Sequence, residues 1–185
     1  LRAAQEAVRT NAPLLGINLG HMGFLTETEP DCLETAVKAL MEERYTLENR
    51  MLLRIDRPHT GESYLALNDV VVNRGGYARL ITLDAFAGEE IVGHYVADGL
   101  IVATPTGSTG YSLSAGGPVI HPAVDCVVIT PICAHSLQHR PVVVPGTEKI
   151  RLALQGDEES GVVVQVDGQT RCMLRPGEDV LIARA

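Results

Sequence analysis

The sequence has little positive charge. Its 185 residues include 15 Lys and Arg against 23 Asp and Glu, which gives a formal net charge of −8. No Lys or Arg lies between Arg79 and Arg140. This balance argues against a protein that binds nucleic acid by neutralising phosphates with a basic face. A phosphate bound by residues 80–139 would have to be held by backbone N–H groups and hydroxyls.

Long apolar runs and closely spaced cysteine pairs are also missing. No apolar run approaches the roughly 20 residues that span a bilayer. The cysteines form no C-x-x-C pair, and they are few for the length of the chain: Cys32, Cys126, Cys133 and Cys172. We therefore expect a soluble, cytoplasmic protein with reduced cysteines and no membrane partner. Because the gap between Cys126 and Cys133 does not suit a zinc knuckle, we expect both to be core residues of a strand.

The hydrophobic pattern changes near residue 45. Apolar residues at Leu1, Ala4 and Val8 predict an opening helix whose start lies upstream, and Leu14–Ile17 predicts a short strand before a glycine-rich turn. Residues 30–45 predict an amphipathic helix that begins at Pro30. The rest of the chain predicts short strands separated by Gly, Pro, Asn or Asp, at residues 51–55, 70–72, 81–85, 91–92, 100–102, 127–129, 142–144, 150–154, 162–164 and 181–182.

These patterns predict an α+β protein. Residues 1–45 are interpreted as the end of an N-terminal α/β domain that begins upstream. Residues 46–185 are interpreted as a β-rich, β-sandwich-like domain, whose last residues could pack back on the α/β domain.

Residues 98–122 form the segment most suited to chemistry. An apolar strand, residues 100–102, runs into the small and hydroxyl-rich residues 104–114, which a double glycine follows. The glycines let a ligand approach the backbone, and a helix that starts near Ser108 would attract an anion without a cation nearby. This favours a ligand site over a tight structural turn. The P-loop and G-x-G-x-x-G patterns are both absent.

A second candidate is the Asn68-Asp69 pair. An amide beside a carboxylate offers donors and acceptors for the hydroxyls and base edge of a nucleotide. An ordinary turn explains the same two residues and, taken alone, explains them better. Asp98 before Gly99 is equally ambiguous, and so is Asp167-Gly168-Gln169, which has the composition of a hairpin turn.

Together these segments resemble the bacterial NAD kinase family. The matching stretches are residues 16–25, 66–70, 98–122 and 130–137, with Arg140-Pro141. The run T-P-T-G-S-T-x-Y-S-L-S-A-G-G-P is the most specific of them. The resemblance implies a Rossmann-like α/β domain beside the β-rich domain. It also implies transfer of a phosphoryl group from ATP or polyphosphate to the 2′-hydroxyl of the adenosine ribose of NAD, giving NADP with the help of Mg²⁺. Because members form homodimers or homotetramers, the resemblance also implies that this protein forms one or the other.

The resemblance also implies which residues bind NAD. They are Asn68, Asp69, Arg79, Asp98, Thr109, Gly110, Tyr111, Ser112, Leu113, Ser114 and Gln169. It implies no catalytic residue and no metal ligand in this chain, because the family's G-G-D-G-T motif, whose Asp activates the 2′-hydroxyl, is absent. We expect that motif upstream, and the chain alone to be inactive.

Two other functions remain open. A diacylglycerol-kinase-like lipid kinase would share the missing motif, although the run at residues 104–118 and the lack of a basic or aromatic membrane-facing stretch disfavour it. A catalytically silent nucleotide-binding module is the second alternative.

Overall fold

A computed structural model describes residues 1–20, 25–76, 80–136, 138–156 and 162–185. The chain divides into two compact units, residues 2–49 and residues 50–185. Arg79, a candidate ligand of NAD, lies outside the described residues, as does the end of the predicted glycine-rich turn.

The N-terminal unit begins with helix α1, Arg2–Thr10, which confirms the predicted opening helix. The predicted strand at Leu14–Ile17 is wrong. Ile17 forms only an isolated parallel bridge with Thr28, and none of the described residues around it extends this bridge into a strand. A short apolar run becomes a strand only when a neighbouring strand is present to satisfy its backbone.

The second predicted helix is shorter than expected. A 3₁₀ turn at Pro30–Cys32 leads into helix α2, Leu33–Met41. Pro30 suits the first helical position because its missing N–H would have no helical partner there. The helix stops before Tyr45 because Glu43 adopts a left-handed backbone with a φ of 53°.

The C-terminal unit contains two six-stranded antiparallel sheets. Its strands are β1 Leu53–Arg57, β2 Glu62–Ala66, β3 Asp69–Asn73, β4 Ile81–Ala87, β5 Glu90–Ala97, β6 Gly99–Ala103, β7 Cys126–Ile132, β8 Val142–Pro145, β9 Ile150–Gln155, β10 Val162–Val166, β11 Gln169–Leu174 and β12 Asp179–Arg184. The strand orders are β2-β1-β12-β9-β4-β5 and β11-β10-β3-β6-β7-β8. Nine of the ten predicted runs lie within these strands, and the run at residues 51–55 overlaps β1, which begins at Leu53.

The two sheets share one hydrophobic core. Leu53 and Ile55 of β1 and Leu100 and Val102 of β6 belong to the same buried cluster, and all four are fully inaccessible to solvent. Because side chains alternate along a strand, each sheet turns one apolar face to the other. This arrangement confirms the predicted α+β class with a β-rich, sandwich-like domain.

The second sheet is also covered on its outer face. Ile101 of β6 and Val128 of β7 join a second buried cluster there, against which Ala115 and Ile120 pack. Ala115 and Ile120 belong to the segment that follows β6. This segment therefore lies across the outer face of the sheet, and every residue of β6 and β7 is buried.

Two details differ from the sequence predictions. β2 and β11 were not predicted, and each is an edge strand of its sheet. Cys126 is buried in β7 as expected, whereas Cys133 is exposed just beyond the end of that strand. No helix among the described residues has the length and apolar character needed to cross a membrane.

Candidate functional site

The sheet register brings three separate segments to one end of β3. β3 runs antiparallel to β6, with Asp69 opposite Ala103. Asn68 therefore lies beside the point where β6 ends and the hydroxyl-rich segment begins. On the other side of β3, Val70 lies opposite Val166 of β10. The turn after β10 is thus at the same end of the sheet.

The carboxylate of Asp167 holds the backbone before β3. Its Oδ1 accepts hydrogen bonds from the N–H groups of Asn68 at 2.8 Å and Asp69 at 3.3 Å. Its Oδ2 accepts one from the N–H of Leu67 at 3.0 Å. Hydrogen bonds to an ionised acceptor are among the stronger ones in proteins. Three consecutive N–H groups are satisfied by one side chain.

Thr104 holds the same backbone through its carbonyl groups. The buried Thr104 hydroxyl donates to the carbonyl of Leu67 at 2.6 Å, and the Thr104 N–H donates to the carbonyl of Asn68 at 2.9 Å. The N–H of Gly107 donates in turn to the Thr104 hydroxyl at 3.0 Å. Gly107 lies so close that a Cβ there would be 2.0 Å from the Asn68 carbonyl oxygen. Only glycine fits at this contact.

The Asn68 side chain is incompletely satisfied. Its Oδ1 is buried and has no hydrogen-bond partner. A Cβ on Gly110 would be 3.9 Å from both the Asn68 Nδ2 and the Asp69 Oδ2, so this glycine faces the amide and the carboxylate together. A buried acceptor without a donor is costly, and such atoms in native proteins call for an explanation. The arrangement suits a ligand that supplies a donor.

Asp69 is a buried carboxylate with altered acidity. Only 6% of the residue is exposed. Burial, assisted by the negative charge of Asp167, raises the pKa of Asp69 from 3.8 to about 6. Both causes disfavour the ionised form. Ionisation of Asp69 in the folded protein at neutral pH therefore lowers the stability of the fold.

The hydroxyl-rich segment is organised largely by its own side chains. The buried Ser108 hydroxyl donates to the carbonyl of Pro105 at 2.7 Å and accepts from the N–H of Ile120 at 3.0 Å. The Ser112 hydroxyl is also buried and lies 2.8 Å from the Thr130 hydroxyl. These two serines fix the segment instead of facing solvent.

The helix considered near Ser108 is present only as two short helical turns. The segment forms a 3₁₀ turn, Gly107–Thr109, followed by the one-turn helix α3, Tyr111–Ser114. A single turn aligns too few peptide dipoles to act as an anion site. Tyr111 and Leu113 project outward, with 45% and 44% of their surface exposed.

Four of the predicted NAD ligands lie together at this end of the second sheet. Asn68 and Asp69 enter from β3, Gln169 begins β11 beside the turn after β10, and Gly110 of the loop after β6 faces the first two. The fully buried Ser112 instead binds Thr130, which pairs with Ile101 in the middle of β6, so its hydroxyl does not face this corner.

Asp98 lies elsewhere. It precedes β6 and is next to Gly99, which pairs with Asn73 at the far end of β3. Four residues of strand, roughly 13 Å, separate this end from Asp69. The Arg74 guanidinium binds Asp98 through two contacts, Nε to Oδ1 at 3.1 Å and Nη2 to Oδ2 at 3.4 Å.

Three residues with roles at these positions carry no clear signal in the sequence. Asp167 has only the pattern of a turn residue, Thr104 is one of many hydroxyl residues in its segment, and Arg74 belongs to no motif. The Asp-Gly sequence correctly indicated a hairpin, since Val166 and Gln169 pair across it. The contact of Asp167 with Asn68, 99 positions away, depends on the pairing of β10 with β3.

Comparison with known proteins identifies the family. The family model for the ATP-NAD kinase C-terminal domain matches residues 67–185, and the model for the ATP-NAD kinase N-terminal domain matches residues 1–45. The chain belongs to the NAD kinase family. It is 44% identical to the NAD kinase of Moorella thermoacetica over its full length and 45% identical to that of Geotalea daltonii over 94% of it. The chain spans only 60% and 62% of those two relatives.

Solved structures of NAD kinases and related kinases share the fold. The crystal structure of yeast NADH kinase complexed with NADH matches 94% of this chain and 51% of its own, with a TM-score of 0.86 and 32% identity. An NAD kinase from Archaeoglobus fulgidus in complex with ATP matches 94% of this chain and 65% of its own. The TM-score there is 0.78, with 31% identity.

Proposed function

We propose that this chain forms most of the NAD-binding part of a cytoplasmic NAD kinase that produces NADP. The enzyme transfers a phosphoryl group from ATP or polyphosphate to the 2′-hydroxyl of the adenosine ribose of NAD. Residues 1–45 would end its α/β domain and residues 46–185 would form its β-rich domain. The observation that carries the proposal is the buried, unpaired Oδ1 of Asn68 beside the Asp69 carboxylate.

The chemistry of this corner suits an adenosine. Ribose hydroxyls and the amino group of adenine are donors, and the Asn68 Oδ1 and the Asp69 carboxylate are acceptors. Gly110 carries no side chain that would fill the space facing the Asn68 Nδ2, a donor, and the Asp69 Oδ2. Tyr111 is exposed and could lie against the dinucleotide, since aromatic rings stack on planar groups. Relatives named NAD kinase and NADH kinase support this assignment.

The proposed site extends beyond one copy of the chain. Asp98 and the Asn68-Asp69 pair lie at opposite ends of β3. We therefore assign Asp98 to NAD binding through a homodimer or homotetramer, in which it would meet the dinucleotide held by another copy. Arg79 remains a proposed ligand of NAD, and Gln169 remains one at the Asn68 end.

This chain would bind and orient NAD. A ribose hydroxyl is a poor nucleophile until a base accepts its proton, and we assign that base to the Asp of a G-G-D-G-T motif, which this sequence does not contain. Mg²⁺ would accompany the phosphoryl donor. No group of three or more metal-ligating side chains occurs in the part of the chain that the structure describes. We assign no residue of the chain to the metal.

Substitution of Asn68 tests the proposal. Asn68→Ala is expected to weaken NAD binding by roughly 1–3 kcal/mol, because the ligand's donors would lose their acceptor inside the protein. Calorimetric titration of NAD into the protein and the variant measures the difference. The proposal would be contradicted by the absence of NAD binding in the folded, unsubstituted protein.

A matched control removes an amide elsewhere. Gln155 lies in the first sheet, where its Nε2 donates to Asp84 at 2.9 Å. Gln155→Ala is expected to leave the affinity for NAD unchanged, because this amide is remote from the proposed site. An equal loss in both variants would show that the effect of Asn68→Ala is not local.

A further inference from the structure

We propose that Asp167 is a positioning residue for NAD binding, which fixes the Asn68-Asp69 pair without touching the dinucleotide itself. This inference rests on the proposed function of that pair. The role belongs to the carboxylate, which replaces a missing strand partner for the backbone that leads into β3.

The backbone before β3 needs such a partner. The ladder between β3 and β10 ends at the pair Val70 and Val166. The Asp167 N–H extends it by one bond to the carbonyl of Asp69, at 3.0 Å. Beyond that point the chain turns back, so the N–H groups of residues 67–69 would have no backbone acceptor from β10. The Asp167 carboxylate supplies both oxygens to them.

The local conformation of Asp167 makes this reach possible. Asp167 and Gly168 both adopt left-handed backbone conformations, with φ of 49° and 74°, and form a two-residue hairpin turn. Asp and Asn tolerate this conformation better than other residues that carry a side chain. The tight turn keeps the Asp167 side chain beside β3, where a longer loop would displace it.

Both sides of the Asn68 backbone are then fixed. Asp167 binds its N–H at 2.8 Å and Thr104 binds its carbonyl at 2.9 Å. The side chain consequently has a defined origin and direction, and its Oδ1 remains buried and unpaired. A site that is organised before its ligand arrives loses less entropy on binding. The negative charge of Asp167 also contributes to the raised pKa of Asp69, which is consistent with their proximity.

A double-mutant cycle tests this role. Asp167→Gly removes the carboxylate and keeps a residue that tolerates the turn, whereas Asp167→Asn keeps one acceptor oxygen. We expect the Kd for NAD to rise at least about tenfold in Asp167→Gly and less in Asp167→Asn. In an Asn68→Ala background, Asp167→Gly should change the Kd by no more than about threefold, because its effect acts through Asn68.

The matched control changes the other residue of the same turn and keeps the Asp167 carboxylate. A Cβ on Gly168 would meet nothing within 4 Å, and its φ of 74° is accessible to Asn. Gly168→Asn should therefore leave the Kd for NAD unchanged. Amide hydrogen exchange supplies a second readout: the N–H groups of residues 67–69 should exchange faster in Asp167→Gly than in Gly168→Asn.

The outcomes separate this proposal from the proposed function. If the unsubstituted protein binds NAD and the effects of Asn68→Ala and Asp167→Gly simply add, the positioning role is overturned. If the unsubstituted protein binds no NAD, the proposed function is overturned. The amide exchange rates alone then test whether Asp167 holds the backbone before β3. Faster exchange would then support its hold on residues 67–69, and unchanged exchange would overturn it.

Discussion

Gly107→Ala is expected to lower the free energy of unfolding by about 3 kcal/mol and to abolish NAD binding. The new Cβ would lie 2.0 Å from the carbonyl oxygen and 2.4 Å from the carbonyl carbon of Asn68. These are backbone atoms, which Asp167 and Thr104 already hold in place. Either the loop after β6 or the Asn68 backbone must move. Urea unfolding and calorimetric titration of NAD measure the two effects.

Gly76→Ala is the matched control. A Cβ on Gly76 would meet nothing within 4 Å. The substitution is therefore expected to leave both stability and NAD binding close to those of the unsubstituted protein. An unchanged Kd for NAD in Gly107→Ala would show that the contact with Asn68 does not position the ligand site.

As the pH rises from 4 to 7, the free energy of unfolding of Asp69→Asn is expected to rise by about 3 kcal/mol relative to that of the unsubstituted protein. The pKa of Asp69 is about 6 in the folded protein, against 3.8 for an unperturbed Asp. Between these values the folded protein keeps a proton that the unfolded chain has released. Rising pH therefore removes stability from the unsubstituted protein, and the loss is complete above about pH 6. Asparagine has no proton to release.

Urea unfolding at a series of pH values measures this difference. Glu90→Gln, which removes one negative charge from an exposed position at the start of β5, is the control for a general effect of net charge. The stability curves of Asp69→Asn and the unsubstituted protein should diverge as the pH rises through 4 to 6. Curves that stay parallel would contradict the cost assigned to burial of the ionised carboxylate.

The strands that the sequence predicts are mostly those that bury apolar side chains. The runs at residues 100–102 and 127–129 lie in β6 and β7, which are covered on both faces, so their apolar character is continuous. β2 and β11 lie at sheet edges and expose much of their length. The other two edge strands, β5 and β8, contain the predicted runs at residues 91–92 and 142–144. β2 and β11 contain no Val or Ile, so their pattern is too weak to predict them.

The candidate site was predictable only in part. The loop after β6 stands out because glycine and hydroxyl residues cluster there in sequence, whereas the Asn68-Asp69 pair gains a binding role only through the family resemblance. Asp167 joins them through strand pairing over 99 positions, and no local pattern carries such information. The resemblance grouped Asp98 with the same ligands, although the register places it at the opposite end of β3. Residue type suggested a binding role, and topology decided where each residue lies.

The long separation between Asp167 and the backbone that it binds also bears on folding kinetics. Closing a loop of about 100 residues costs chain entropy before its contacts form, so we expect this end of the sheet to assemble late. During synthesis, residues 67–69 would leave the ribosome well before their carboxylate partner does. Dinucleotide that binds only the finished structure would then slow its unfolding and raise its apparent stability by mass action. The cellular level of NAD would in this way influence how long the folded protein persists.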